Sequence, residues 1–147
     1  MDTIRRWRNG GKFDGKMLTE DQKHIYSVYQ RILTLCNKEK AITEGEFFDL
    51  MYANANGWRF NEHKQYTFLR KAGKELLFII VNFDHISVDV AINVPSHAFD
   101  FLQIPQMDVY PAVDLLTGKT ESISLLPYKA TEISVEGYSG KILKIKL

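Results

Sequence analysis

The amino-acid sequence predicts a mainly β fold, an antiparallel β-sandwich preceded by one long amphipathic α-helix. Three observations predict it. One stripe of apolar residues at helical spacing is confined to residues 18–40. Beyond Gly45 the apolar residues fall instead in short, often alternating runs. The runs are divided by turns rich in glycine, asparagine and proline, which leave no room for βαβ crossovers.

The helix comes first. Thr19 with Gln22 three places on matches a capping box, and Glu20 and Asp21 put negative charge at the positive end of the helix. Ile25, Val28, Tyr29, Ile32, Leu33, Leu35 and Cys36 then share one face, with Lys23, Ser27, Gln30, Arg31, Thr34 and Lys38 opposite. Residues 1–17 are polar and glycine-rich without clear periodicity, which predicts a loop or arm. Within them Gly10-Gly11-Lys12-Phe13-Asp14-Gly15-Lys16 satisfies the spacing of a phosphate-binding loop. No strand precedes it, and Met17 stands where a magnesium-binding hydroxyl is required, so nucleotide binding is not expected.

The strands follow over residues 44–147. Phe47 to Tyr52 reads as a short strand broken by Ala53-Asn54-Ala55-Asn56-Gly57. Tyr66–Arg70 and Glu75–Phe83 flank Lys71-Ala72-Gly73-Lys74 as a hairpin, and Leu76 to Val81 is apolar on both faces, as a strand central to the fold must be. Ile86 to Val94 alternates and ends at Pro95, and Ser96–Gln103 predicts a short helical turn. Asp108–Leu116 contains Pro111, which implies an edge or a bulge. After Thr117-Gly118-Lys119, Ser122–Leu126 returns. Thr131–Val135 and Leu143–Leu147 read as a last pair joined by Gly137-Tyr138-Ser139-Gly140, with Leu143, Ile145 and Leu147 on one face.

Composition narrows the function. The chain has 147 residues, enough for one domain with its own core, and 45% of them are apolar. Nineteen basic residues against 18 acidic ones provide no electrostatic reason to expect nucleic acid or an anionic membrane. The longest strongly apolar run, Leu76 to Val81, is too short to insert across a bilayer. No apolar segment of a secretory leader follows Arg5, Arg6 and Arg8. The one cysteine, Cys36, reads as a small hydrophobe on the helix stripe. His24, His63, His85 and His97 show no metal-ligand spacing, so neither metal nor cofactor is expected.

One group of residues has the composition of a sugar site. Trp58, Phe60 and Tyr66 lie in or beside a polar loop that holds Asn54 and Asn56. Aromatic rings stack on the apolar faces of sugars while amides take their hydroxyls. The competing expectation is that Trp58 plugs one end of the sandwich.

The order of these elements resembles a known family. Arg5-Arg6-Trp7-Arg8-Asn9-Gly10-Gly11-Lys12-Phe13-Asp14-Gly15 leads into a Leu-Thr-x-x-Gln-Lys helix. Ala41, Ile42 and Gly45 follow, and then Phe47-Phe48-Asp49-Leu50-Met51-Tyr52-Ala53-Asn54 and Val113-Asp114-Leu115-Leu116-Thr117-Gly118-Lys119. This is similar to the C-terminal part of α-amylase-like enzymes of glycoside hydrolase family 13, where the last helix of a (β/α)8 barrel passes into a Greek-key sandwich called domain C. The resemblance implies a noncatalytic domain that packs on and stabilises a catalytic barrel. It also implies no catalytic residue in this chain, because the family's carboxylates lie on barrel strands upstream of the helix. Two expectations follow beside it: an exposed helix stripe that can pair chains into a homodimer, and α-glucan bound through Trp58.

Overall fold

A computed structural model describes residues 2–147 and divides the chain into two units, Met1–Lys38 and Glu39–Leu147. The first unit is helical. α2 (Glu20–Lys38) starts as its sequence dictates: the Thr19 N–H donates to Gln22 Oε1 at 3.1 Å, and the Gln22 N–H donates to Thr19 Oγ1 at 3.3 Å.

The predicted loop at residues 1–17 needs correction. Asp2–Arg8 form a helix, α1, whose Asp2 and Arg6 pair at 2.9 Å across one turn. Acid ahead of base at that spacing, with Arg5, Arg6 and Arg8 at the negative end, favours a helix that the nearby glycines conceal in the sequence. Trp7 packs on Tyr26 with ring centroids 4.6 Å apart, and Gln22 Nε2 donates to Thr3 Oγ1, so α1 lies on the first turns of α2. The bend between them requires Gly15 (φ +62), where a Cβ would come within 3.0 Å of the Trp7 ring. A helix, not a strand, therefore precedes the glycine-rich segment, which removes the phosphate-loop context.

The second unit is the sandwich. Its elements are α3 (Lys40–Thr43), β1 (Glu46–Asp49), α4 (Met51–Asn54), β2 (Gln65–Ala72), β3 (Glu75–Asn82), β4 (Val88–Ile92), α5 (Ser96–Leu102), β5 (Met107–Asp114), β6 (Thr120–Leu125), β7 (Thr131–Val135) and β8 (Ser139–Lys146). One sheet has the order β1-β2-β3-β8-β5-β6 and the other is β4-β7, with every pair antiparallel. β5 and β6 form a hairpin, β7 crosses to the other sheet, and β8 returns beside β5, which is Greek-key order.

This topology corrects the expected last pair. β7 pairs with β4, whereas β8 inserts between β3 and β5. The crossing is tight: a Cβ on Gly137 would come within 2.2 Å of the His85 carbonyl oxygen. In β8 both sides of the backbone find partners, and Leu143 and Ile145 are fully buried.

Two other strands differ in detail. The strand predicted from Phe47 to Tyr52 stops at Asp49, whose carboxylate accepts from the Met51 N–H at 3.0 Å and opens α4. β5 is not an edge strand, but its register shifts between Met107 and Tyr110, and its ladder with β8 begins only at Ala112. Pro111 thus has no β8 partner for the N–H it lacks.

The core fills the gap between the sheets. Leu69, Leu76, Phe78, Ile80, Leu143 and Ile145 face Val90, Ile92, Ile133 and Val135, and Ala98, Phe99 and Leu102 of α5 close one side. Burying each large side chain contributes about 1.5–3 kcal/mol. β3 is buried from Leu76 to Ile80, so alternate residues must be covered on both of its faces.

Candidate functional site

The apolar stripe of α2 is real and uncovered. None of its residues is buried. Ile25 is 55% and Leu33 60% exposed, and Val28, Tyr29 and Ile32 are also exposed. Leu35 and Cys36 are half-buried, so Cys36 is not the buried hydrophobe its position on the stripe suggests. Towards the N-terminal end of the stripe, Ile4, Trp7, Leu18, Ile25, Tyr26 and Tyr29 line an apolar groove of about 500 Å³ within the helical unit.

A second apolar surface lies on the outer face of the six-stranded sheet. Strand alternation puts Tyr66, Phe68, Leu77, Ile79, Val81 and Ile142 there, opposite the sandwich core. Phe47 stacks on Phe68 at 5.4 Å, and Phe68 on Tyr66 at 5.7 Å. α3 covers part of this face through Ala41, which packs against Leu77 and Ile79. The rest is open, with Phe47 47% and Tyr66 38% exposed.

A polar clamp holds α3 there. Lys144 Nζ bridges Glu39 at 2.5 Å and Glu75 at 2.8 Å, and the Ala41 N–H donates to Glu75 at 3.1 Å. Arg70 donates to the carbonyls of Ala41 and Gly45. Burial by itself would raise the Glu75 carboxyl, but the hydrogen bonds from Lys144 and Ala41 outweigh it and hold the group below its ordinary range. For Lys144 burial acts downward, and the two carboxylates reverse it and raise the ammonium.

The residues expected to bind sugar do not converge. Asn54 is fully buried; its Nδ2 donates to the Leu50 and Asn93 carbonyls and its Oδ1 accepts from the Asn93 N–H. Phe60 belongs to the sandwich core. Both are unavailable to a ligand, because the loop anchors itself through them. Tyr66 is on the outer sheet face with Phe68. Trp58 and Asn56 stand in solvent. Trp58 is 74% exposed, so it plugs nothing.

The sequence reading missed an aromatic group at the β1 edge. Phe48 contacts Tyr52, His97 and Phe101, and the Tyr52 hydroxyl hydrogen-bonds His97 Nε2. Burial, followed by the charge of Asp49, raises the Tyr52 phenol. The pairing joins α4 to α5 across 45 residues, which no local pattern shows.

Among the described residues no group of histidine, cysteine and carboxylate side chains could hold a metal ion, and no helix is long and apolar enough to cross a membrane. Asp84, although buried, is a structural acid: its hydrogen bond from Lys64 at 2.7 Å holds its carboxyl below the ordinary range. The described residues contain no (β/α)8 barrel.

No family model and no curated protein matches the sequence. Solved structures do match the fold. A noncanonic maltogenic α-amylase, AmyB from Thermotoga neapolitana, superposes with a TM-score of 0.65 and 15% identity, over 90% of this chain and 27% of that one. AmyP in complex with maltose has a TM-score of 0.61 and 21% identity, over 90% and 23%. The α-amylase of Geobacillus thermoleovorans, complexed with acarbose, has a TM-score of 0.60 and 12% identity, over 91% and 26%. The fold is therefore one found within α-amylases, and the chain spans about a quarter of the length of those it matches. The matched share exceeds what Glu39–Leu147 make up, so part of the helical unit is matched too.

Proposed function

We propose that this chain is the noncatalytic C-terminal region of an α-amylase-type glycoside hydrolase, which docks on the catalytic (β/α)8 barrel and stabilises it. The observation that carries the reading is the open α2 stripe: a 19-residue helix with an apolar face and no buried residue has an incomplete interface. The open part of the outer sheet face, from Phe47 to Tyr66 and Val81, supplies a second surface of the same kind. The fold likeness supports a barrel as the cover, since α-amylases contain this fold in about a quarter of their length.

The test is the reading frame upstream of the Met1 codon. An in-frame (β/α)8 barrel ending at this helix is the expected result, and a frame that encodes some other domain rejects the reading. In the absence of the barrel, the same stripe would pair two copies of the chain.

A second role, binding of α-glucan, rests on a separate region. Its support is the exposure of Trp58 in a polar loop.

A further inference from the structure

We propose that the loop from Asn54 to Glu62 is a rigid, one-sided stacking platform that presents the open face of Trp58 to a neutral pyranose unit of an α-glucan. This rests on the second role given above and adds the mode of binding.

The loop is held in an unusual conformation. Asn56 (φ 58) and Arg59 (φ 59) both lie in the left-handed region, which non-glycine side chains seldom adopt. Between them Gly57 has no room for a side chain, since a Cβ would meet the Asn54 carbonyl oxygen at 2.8 Å. Hydrogen bonds fix this shape from both ends. The Asn56 N–H donates to Glu62 at 2.5 Å and the Gly57 N–H to the Asn54 carbonyl at 2.9 Å. Buried Asn54 joins the loop to Asn93. At the other end Arg59 Nε donates to the Asp89 carbonyl at 3.0 Å, and the Arg59 carbonyl accepts from the Ala91 N–H at 3.3 Å.

The result is an indole carried on a fixed backbone, so the loop loses little backbone freedom on binding, which favours affinity from a small contact. The Arg59 guanidinium sits 5.1 Å from the ring centroid and covers one face of Trp58. The other face is the one left for a ligand.

The surroundings select the ligand class. Exposed Asn56, Asn61 and His63 supply hydrogen-bonding groups, and beside Trp58 the only other exposed apolar side chain between Asn54 and Glu62 is the single methyl of Ala55. A protein interface core needs a contiguous apolar area, whereas a pyranose needs one ring face and a rim of hydroxyl partners. Arg59 already pairs with Glu132 at 3.5 Å, and Lys64 with Asp84 at 2.7 Å, so the loop favours an uncharged sugar over an anion. Through Arg59 the platform is fastened to β4 and β7, the sheet opposite the open outer face of the six-stranded one. Within the sandwich, sugar binding and docking on the outer sheet face therefore use different surfaces.

The experiment is a maltoheptaose titration of the intact chain, followed through the two indole N–H signals in a ¹H–¹⁵N spectrum. The Trp58 signal should shift and saturate at millimolar sugar while the Trp7 signal stays still. W58A should weaken binding about tenfold or more, W58F should retain part of it, and both should keep the spectrum of the folded sandwich. A Trp58 signal that stays still, or binding of equal strength by W58A, overturns the proposal. That failure would not touch the docking reading, because Trp58 belongs to neither docking surface and hydrophobic-dye binding at α2 is measured separately.

Discussion

The two units of the chain use similar apolar residues to opposite ends. In the sandwich, Phe78, Leu143 and Ile145 are fully buried and every strand has at least one partner. In the helical unit, Ile25, Tyr29 and Leu33 form an equally regular stripe that faces water. A short helix gains most of its stability from packing its apolar face rather than from propensity. The sandwich thus has a closed core, whereas the apolar face of α2 has no cover, which is why the proposed docking is assigned chiefly to it.

The comparison can be broken by mutation. Phe78→Ala should cost about 3–5 kcal/mol in urea unfolding, because it empties the centre of the core. Leu33→Ala should stay within about 0.5 kcal/mol, since its side chain is already hydrated. Equal losses from the two would show that α2 is packed in solution.

The clamp on α3 should give a smaller, pH-dependent effect. The Glu75 carboxyl lies below its ordinary value of 4.5 in the folded chain, so its contribution is present above that value and is lost as pH falls through the folded one. Lys144 lies above its ordinary 10.5, so its contribution is full below that value and is lost as pH rises through the folded one. Lys144→Met should therefore destabilise by about 1–2 kcal/mol at neutral pH, a figure reduced for partial exposure, and by less in acid where Glu75 is protonated. A loss that is the same at pH 3 and pH 7 would exclude the ion pair as its source.

The smallest effect is expected at the helix cap. Thr19→Ala removes one half of the capping box and should cost about 1 kcal/mol of local helix stability. It should lower the far-ultraviolet helical signal and leave the melting of the sandwich unchanged.

Much of this was legible in sequence because it is local. The Thr19–Gln22 cap, the α2 stripe, the β2–β3 hairpin and the two-sided apolar run of β3 all follow from residue spacing. The partition of β7 and β8 into different sheets was not legible, because each alternates equally well with any partner. α1 was hidden by the glycines that follow it. The polar loop misled for a related reason. Asn54 and Asn56 look alike in sequence, yet one is fully buried against Asn93 and the other is exposed. Only long-range contacts separate an anchor from a displayed side chain.

The claim that α2 is half of an interface is tested most directly by sedimentation of the chain with a hydrophobic dye present, compared with an I25E/Y29E/L33E variant. The chain should bind dye and associate as its concentration rises. The variant should do neither, while it keeps the sandwich transition. A chain that stays monomeric and binds no dye would contradict the account.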